Sequence, residues 1–341
     1  MRKTLRNAGI LGVGIYMPEN IITNDYWDDK EFLNRPAKKS FEDCFIGIKE
    51  RRYFSLDMCP SDAEVEAGKR ALEMSGVDPN EIDLVLTHAM VPDETIPGNA
   101  SIIQHKLGLK NAAAWNMDTC CSSFVTMLIT ASNLIACGTY NKILITTSIF
   151  HSKIIDENDY LSPCAGDGSS AVVIGEVSED RGYIASHATS DGYYHDAFTV
   201  RERFPLAHSS KKHSNITSPI RNLMTTNPVK VKEMGRMSIE QMTPVMLKTL
   251  EKAELRPEDI NFFLSHQPAP WAHDAWRDSI GIPKEKSYHT FSIYGNLAST
   301  SIPTNLYHAL DKGLIKDGDY ILIASPGAGE NHTSAVLKWG K

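Results

Sequence analysis

Residues 72–88 and 250–266 are two copies of one segment, and both copies end in histidine. At a constant offset of 178 the pairs Leu72/Leu250, Glu73/Glu251, Pro79/Pro257, Ile82/Ile260, Leu86/Leu264 and His88/His266 are identical. The same offset lays Lys142-Ile143-Leu144-Ile145 over Tyr320-Ile321-Leu322-Ile323. Solenoid repeats run to roughly 20–50 residues, so a period this long is of another kind. It predicts two similar half-domains, each a helix–turn–strand unit followed by a further apolar strand. Two fused halves place a pocket where they meet.

Bulk properties narrow the class. The 341 residues suffice for a full core, and the formal charge of −7 argues against general nucleic-acid or anionic-membrane binding. Six cysteines, two of them adjacent (Cys120 and Cys121), do not resemble a disulfide framework, and no C-x-x-C pair suggests zinc. The apolar stretch Gly9–Met17 is short and lacks a cleavage site, and no run approaches the roughly 20 residues of a transmembrane helix. These features predict a cytoplasmic protein.

Along the chain, strands are expected at Ile10–Ile15, Leu84–Leu86, Ala112–Met117, Ile143–Thr147, Ser170–Ile174, Phe262–Leu264 and Ser334–Leu337. Ser61-x-x-Glu64 has capping-box spacing, predicting a helix from near Asp62 to Gly76. Further helices are expected at Ala100–Leu107, Ser122–Ala136 and Ile239–Ala253. Residues 150–168 are irregular and absent from the second copy, which marks an insertion over a site. A second polar, weakly patterned region covers roughly 191–235. Strands alternating with helices through both halves give a layered α/β fold.

Cys121 lies where a strand yields to a helix, and unpaired N–H groups there stabilise a thiolate. Most cysteines are merely small buried side chains, the fate expected of Cys120, pointing into the core. His266 ends a strand and can project into a cleft, or be satisfied by backbone. His88 is its structural counterpart. Asn296, after Gly295, reads first as turn chemistry. Gly327-Ala328-Gly329 permits a tight turn that can offer N–H groups to an oxyanion.

Cys121-Ser-Ser-Phe after a strand, Asp167-Gly168, His266-Gln267, Gly295-Asn296 and the late Gly-rich turn occur in that order. Together with Gly47-Ile48-Lys49-Glu50-Arg51-Arg52, they resemble the 3-oxoacyl-acyl-carrier-protein synthase III family of the thiolase superfamily. The resemblance implies a duplicated five-layer α/β/α/β/α fold, divided into halves at 1–178 and 179–341. It implies that Cys121 takes an acyl group as a thioester. His266 and Asn296 would stabilise the enolate of a malonyl-type partner. The N–H groups of Cys121 and Ala328 would hold the tetrahedral oxyanion. It further implies acyl-CoA or acyl-carrier-protein substrates and a homodimer, with no cofactor or metal.

Two departures bear on substrate. The family's Trp and Arg that clamp nucleotide fall at Phe41 and Phe45, and the Arg shortly after His-Gln is missing. His266-Gln-Pro-Ala-Pro itself is similar to alkylquinolone and dialkylresorcinol synthases. The expectation is a ketosynthase of specialised metabolism. The alternatives are acyl transfer to oxygen or nitrogen, or an acetyl-CoA-dependent initiator of fatty-acid synthesis. Lys211-Lys212, Lys230 and Lys232, or Arg201 and Arg203, are candidate carrier-docking cations.

Overall fold

The offset of 178 survives in the strand pairings. Leu84 pairs with Ile143 and Thr87 with Thr146, while Phe262 pairs with Ile321 and Ser265 with Ala324. Each second-half residue is the first-half residue plus 178. The computed structural model describes residues 5–32, 35, 38–203, 220–225 and 227–341, without the side chains of 200–203 and 220–225.

The first half contains β1 (Ala8–Tyr16), β2 (Asn20–Thr23), β3 (Glu50–Tyr53), α1 (Pro60–Ser75), β4 (Leu84–Ala89), α2 (Asn99–Lys106), β5 (Ala113–Asn116), α3 (Ser123–Ala136), β6 (Lys142–Phe150) and β7 (Asp167–Glu176). The second contains β8 (Gly182–Ser190), β9 (Phe198–Arg203), β10 (Ile220–Thr225), α4 (Pro228–Lys252), β11 (Phe262–Ser265), α5 (Ala272–Ser279), α6 (Phe291–Tyr294), α7 (Ser301–Asp311), β12 (Tyr320–Gly327) and β13 (Asn331–Lys338). One sheet has the order β1-β7-β6-β4-β5 and the other β8-β13-β12-β11. Where the second sheet lacks a counterpart of β5, a single parallel bridge joins Phe263 to Ser287.

Alternation along the strands builds the layers, because successive side chains point to opposite faces. Ile143 and Ile145 join Ile321 and Ile323 in one core with Phe124, Leu128 and Leu306, so α3 and α7 lie between the sheets. Leu144 and Val85 face α1 and α2 instead, while Leu322 and Phe263 face α4 and α5. The result is five layers, α/β/α/β/α. Strands buried on both faces read as continuous apolar runs, which is how Ile143–Ile145 and Ile321–Ile323 look in sequence.

Several sequence expectations are corrected. Ser61 and Glu64 form no capping box, because α1 starts earlier at Pro60 after Cys59. The Ser61 N–H instead donates to Asp93 at 2.9 Å, and Asn99 donates to Glu64 at 2.8 Å. Helix α4 begins eleven residues before Ile239, with Pro228 in the first turn and the Asn227 side chain accepting the Lys230 N–H. Its early turns are largely exposed and carry no apolar stripe to read. Residues 150 and 167–168 belong to β6 and β7, so the irregular tract is 151–166. Within the polar 191–235 region, β9 and β10 pair as antiparallel strands. Among the described residues no helix is long and apolar enough to cross a membrane.

Candidate active site

Period-2 alternation that sends Leu84 and Leu86 towards the central layer sends His88 there as well. The same count from Phe262 and Leu264 places His266 on the corresponding face. His266 lies just past β11, its N–H bonded to the Ala324 carbonyl at 3.0 Å. The central helices α3 and α7 start opposite these histidines, each after a short 3-10 turn, Cys120–Ser122 and Ala298–Thr300.

The cysteine turn is fixed from all sides. Cys120 N–H donates to Asp118 Oδ1 at 2.7 Å, Ser123 Oγ to the Cys120 carbonyl at 2.7 Å, and Ser325 Oγ to the Cys121 carbonyl at 3.1 Å. Gly327 lies directly against this turn, since a Cβ there would overlap the Thr119 carbonyl. That approach sets the Gly327–Ala328 backbone beside the cysteine turn, where the Ala328 N–H favours the thiolate form of either thiol. Cys120 and Cys121 are half-buried, with sulfurs 3.9 Å apart.

Cys120 therefore does not point into the core, contrary to expectation. Its left-handed φ of 56° turns the side chain back alongside Cys121. The two thiols share one charge. Cys120 is drawn down to about 7, first by the hydrogen bond from Cys121 and then by His88 and the Ala328 N–H, against burial. Cys121 is pushed well above the ordinary thiol range by that same bond, then by burial and the Cys120 charge. The thiolate stabilisation expected at Cys121 thus falls on its neighbour in the resting pair.

Cys121, His266 and Asn296 converge on one segment, Leu297–Ser301. Cys121 packs with Ile149, Leu297 and Ala298. His266 Nδ1 lies 3.2 Å from Ser301 Oγ, and burial holds the imidazole down at about 3, so it is neutral. Asn296 Oδ1 accepts the Ala298 N–H at 2.8 Å, so the turn chemistry read from sequence is present. Gln267 steadies this turn by donating to the Gly295 carbonyl at 2.7 Å.

Sequence reasoning passed over His151, which lies within the irregular tract. It is buried, its Nδ1 is 3.0 Å from the Gly166 carbonyl, and it lies close enough to His266 to oppose its protonation. Burial lowers His151 itself to about 4. The tract joins Asn296 through backbone bonds: Asn296 N–H to the Cys164 carbonyl at 2.7 Å, and Gly166 N–H to the Asn296 carbonyl at 3.2 Å. Arg51 anchors it from below, donating to the Pro163 carbonyl at 2.7 Å while fully buried over Trp27. No pattern in the tract signals these roles.

Phe41 and Phe45 lie in an aromatic cluster with Trp27, Phe32 and Tyr160, with Phe32 stacked on Phe41 at 5.1 Å. Lys230 is tied to Asp196 at 2.6 Å, which removes it as a free docking cation. Lys232 is exposed. Lys211, Lys212 and the side chains of Arg201 and Arg203 lie outside the described residues. A groove of about 610 Å³ between α4 and β8 contains none of the candidate catalytic residues.

Known proteins place the chain in a family. Residues 115–192 match the 3-oxoacyl-[acyl-carrier-protein] synthase III family, and residues 250–339 match its C-terminal family. The β-ketoacyl-[acyl-carrier-protein] synthase III of Listeria welshimeri is 33% identical over 98% of this chain and all of its own. The chain belongs to the 3-oxoacyl-[acyl-carrier-protein] synthase III family. Among solved structures, the synthase III of Thermus thermophilus superposes with a TM-score of 0.85 at 31% identity, covering 97% of this chain and 99% of that one. The priming β-ketosynthase of the R1128 polyketide pathway gives 0.85 at 26% identity, covering 100% and 99%. The thiolase-like five-layer fold expected from sequence is thus present. Within the synthase III fold, Cys120, Asp118 and His151 are the polar additions to the site that the sequence did not single out.

Proposed function

We propose that this synthase III loads an acyl group on Cys121 and condenses it with a malonyl- or 3-oxoacyl-thioester. The observation that carries this is the convergence of Cys121, His266 and the Asn296 turn on the Leu297–Ser301 segment, with the Gly327–Ala328 backbone beside the cysteine turn. In the first step the Cys121 proton passes to the neighbouring Cys120 thiolate and the Cys121 sulfur attacks the donor's thioester carbonyl. The N–H groups of Cys121 and Ala328 hold the tetrahedral oxyanion until the donor thiolate leaves. In the second step a malonyl-type acceptor loses carbon dioxide, and its enolate oxygen lies against His266 and Asn296. The enolate carbon attacks the acyl carbonyl and returns Cys121 as thiolate. A neutral His266 suits this task, because one ring nitrogen can be bonded to Ser301 while the other donates. We take 1–178 and 179–341 as the two halves that supply these groups.

The substrate reading is a specialised pathway fed by acyl-CoA or acyl-carrier-protein thioesters. Phe41 and Phe45 spend their faces on Trp27, Phe32 and Tyr160, and neither can supply the charge that an Arg offers to phosphate. The second reading is an acetyl-CoA-dependent initiator of fatty-acid synthesis. A homodimer is supported by β5, a sheet edge with no partner strand on its outer side among the described residues and with Trp115 exposed. The experiment is competition of acetyl-CoA against longer and carrier-bound acyl donors for Cys121, read by intact-protein mass. Preference for the longer or carrier-bound donors is expected. Preference for acetyl-CoA, with rescue of a strain lacking its housekeeping initiator, would establish the second reading.

A further inference from the structure

The duplication reaches the chemistry itself. Adding 178 to Asp118, Cys120, Cys121 and Ser123 gives Asn296, Ala298, Ser299 and Ser301. The backbone follows the numbering: both 3-10 turns lead into central helices at Ser123 and Ser301, and Cys120 and Ala298 both have left-handed φ, 56° and 47°. His88 already corresponds to His266. The set Cys121, His266 and Asn296 thus has a complete counterpart in Ser299, His88 and Asp118.

The members of that counterpart set are bonded to one another. His88 Nδ1 is 2.8 Å from Ser299 Oγ, and His88 Nε2 is 3.3 Å from Asp118 Oδ1. The same carboxylate oxygen accepts the Cys120 N–H. Residue types and order are those of a Ser–His–Asp triad, but burial decides its use. Ser299 is 1% exposed, which shields its hydroxyl from an acyl donor, whereas Cys121 is half-buried. Asp118 stays ionised, its carboxyl held down to about 2 chiefly by the hydrogen bond with His88, so the Nε2–H of His88 faces it. Bonds therefore run without a break from Ser299 in the second half to Cys120 in the first. A left-handed φ at a non-glycine residue persists only where its surroundings impose it, and Asp118 is the group that grips the Cys120 N–H.

We infer that Ser299, His88 and Asp118 are positioning residues, a bridge between the halves that holds Cys120 in its turn and sets the Cys121 thiol against the Asn296–Ser301 segment. This rests on the reading of Cys121 as nucleophile, so the test includes a probe that needs no acyl substrate. Iodoacetamide alkylation would be followed site by site through peptide mass spectrometry in wild type, D118A, D118N, H88A, S299A and H88A/S299A. Alkylation of Cys121 should slow about tenfold or more in D118A and H88A, as expected when a reactive group is displaced by a fraction of an ångström. D118N copies Asn296 and should recover most of the loss. H88A/S299A should be no slower than the slower of its two single variants, because both break one bridge. S299A, which removes only a hydroxyl, serves if a larger truncation fails to fold. Rates within twofold of wild type, additive losses, or labelling of Ser299 by a fluorophosphonate would overturn the inference. Slowed alkylation in a protein that no acyl thioester loads would overturn the condensing-enzyme reading and leave the bridge standing.

Discussion

Asp118 and Asn296 occupy equivalent places in the two halves, and each side-chain oxygen accepts the backbone N–H two residues further on, at 2.7 and 2.8 Å. One turn presents Cys121 and the other Ser299, so a single local device is used twice with different chemistry. The second-half turn bears the Asn proposed to act on substrate. The first-half turn bears an Asp committed to His88.

Cys121 rather than Cys120 should carry the acyl group, although the resting charge favours Cys120. C121A should show no acyl adduct by intact mass, and C120A should still be loaded. Removing Cys120 also removes the hydrogen bond that does most to hold the Cys121 thiol up. The pH profile of Cys121 alkylation should therefore shift to lower pH in C120A. An adduct mapped to Cys120 in wild type would contradict the assignment.

His266 and Asn296 should act after loading. Loss of one oxyanion donor costs on the order of 10²–10³ in rate. H266A and N296A should accumulate acyl-enzyme and form product slower by that order, seen in single-turnover mixing of loaded enzyme with acceptor. If H266A cannot be loaded yet turns over preformed acyl-enzyme normally, the roles must be exchanged.

Buried neutral histidines should make the fold acid-sensitive. His151 is held at about 4 and His266 at about 3, below the ordinary 6.5. As pH falls below 6.5 the unfolded chain takes up protons that the folded chain refuses. Their stabilising effect is thus full above 6.5 and lost on the way down, at about 1.4 kcal/mol per pH unit for each group. Denaturant unfolding of H151N between pH 4 and 6 should show a shallower pH slope than wild type. An equal slope would contradict this.

Glu64 should act in the opposite direction. Burial raises it from 4.5 to about 8, against the Asn99 hydrogen bond, and one carboxyl oxygen lacks a partner. Between 4.5 and 8 the folded state keeps a proton that the unfolded state has released, so stability falls as pH rises through that window. E64Q should flatten this decline and be more stable than wild type at pH 8. A variant less stable than wild type at pH 8 would show that the carboxyl is ionised and usefully bonded.

Much of the fold was legible because it is duplicated. Two apolar strands at one offset, each closed by histidine, specify the register that the sheets later show. Cys121, His266 and Asn296 were readable through motif order. What escaped depends on contacts remote in sequence. Cys120 was misplaced because its direction depends on a left-handed φ, which residue type does not reveal. The capping box failed because Ser61 and Glu64 found partners in Asp93 and Asn99, some thirty residues away. His151 and Arg51 act through an irregular tract that has no periodicity to read. Even the match of Asp118 to Asn296 is present in the numbering, but it gains meaning only when both turns are seen to close in the same way.

The most direct test is release of carbon dioxide from a malonyl-thioester mixed with protein already acylated on Cys121. The account predicts release coupled one-to-one to loss of the acyl adduct and to formation of a 3-oxoacyl product, abolished in C121A. Discharge of the adduct to an oxygen or nitrogen acceptor, with no carbon dioxide released, would contradict it.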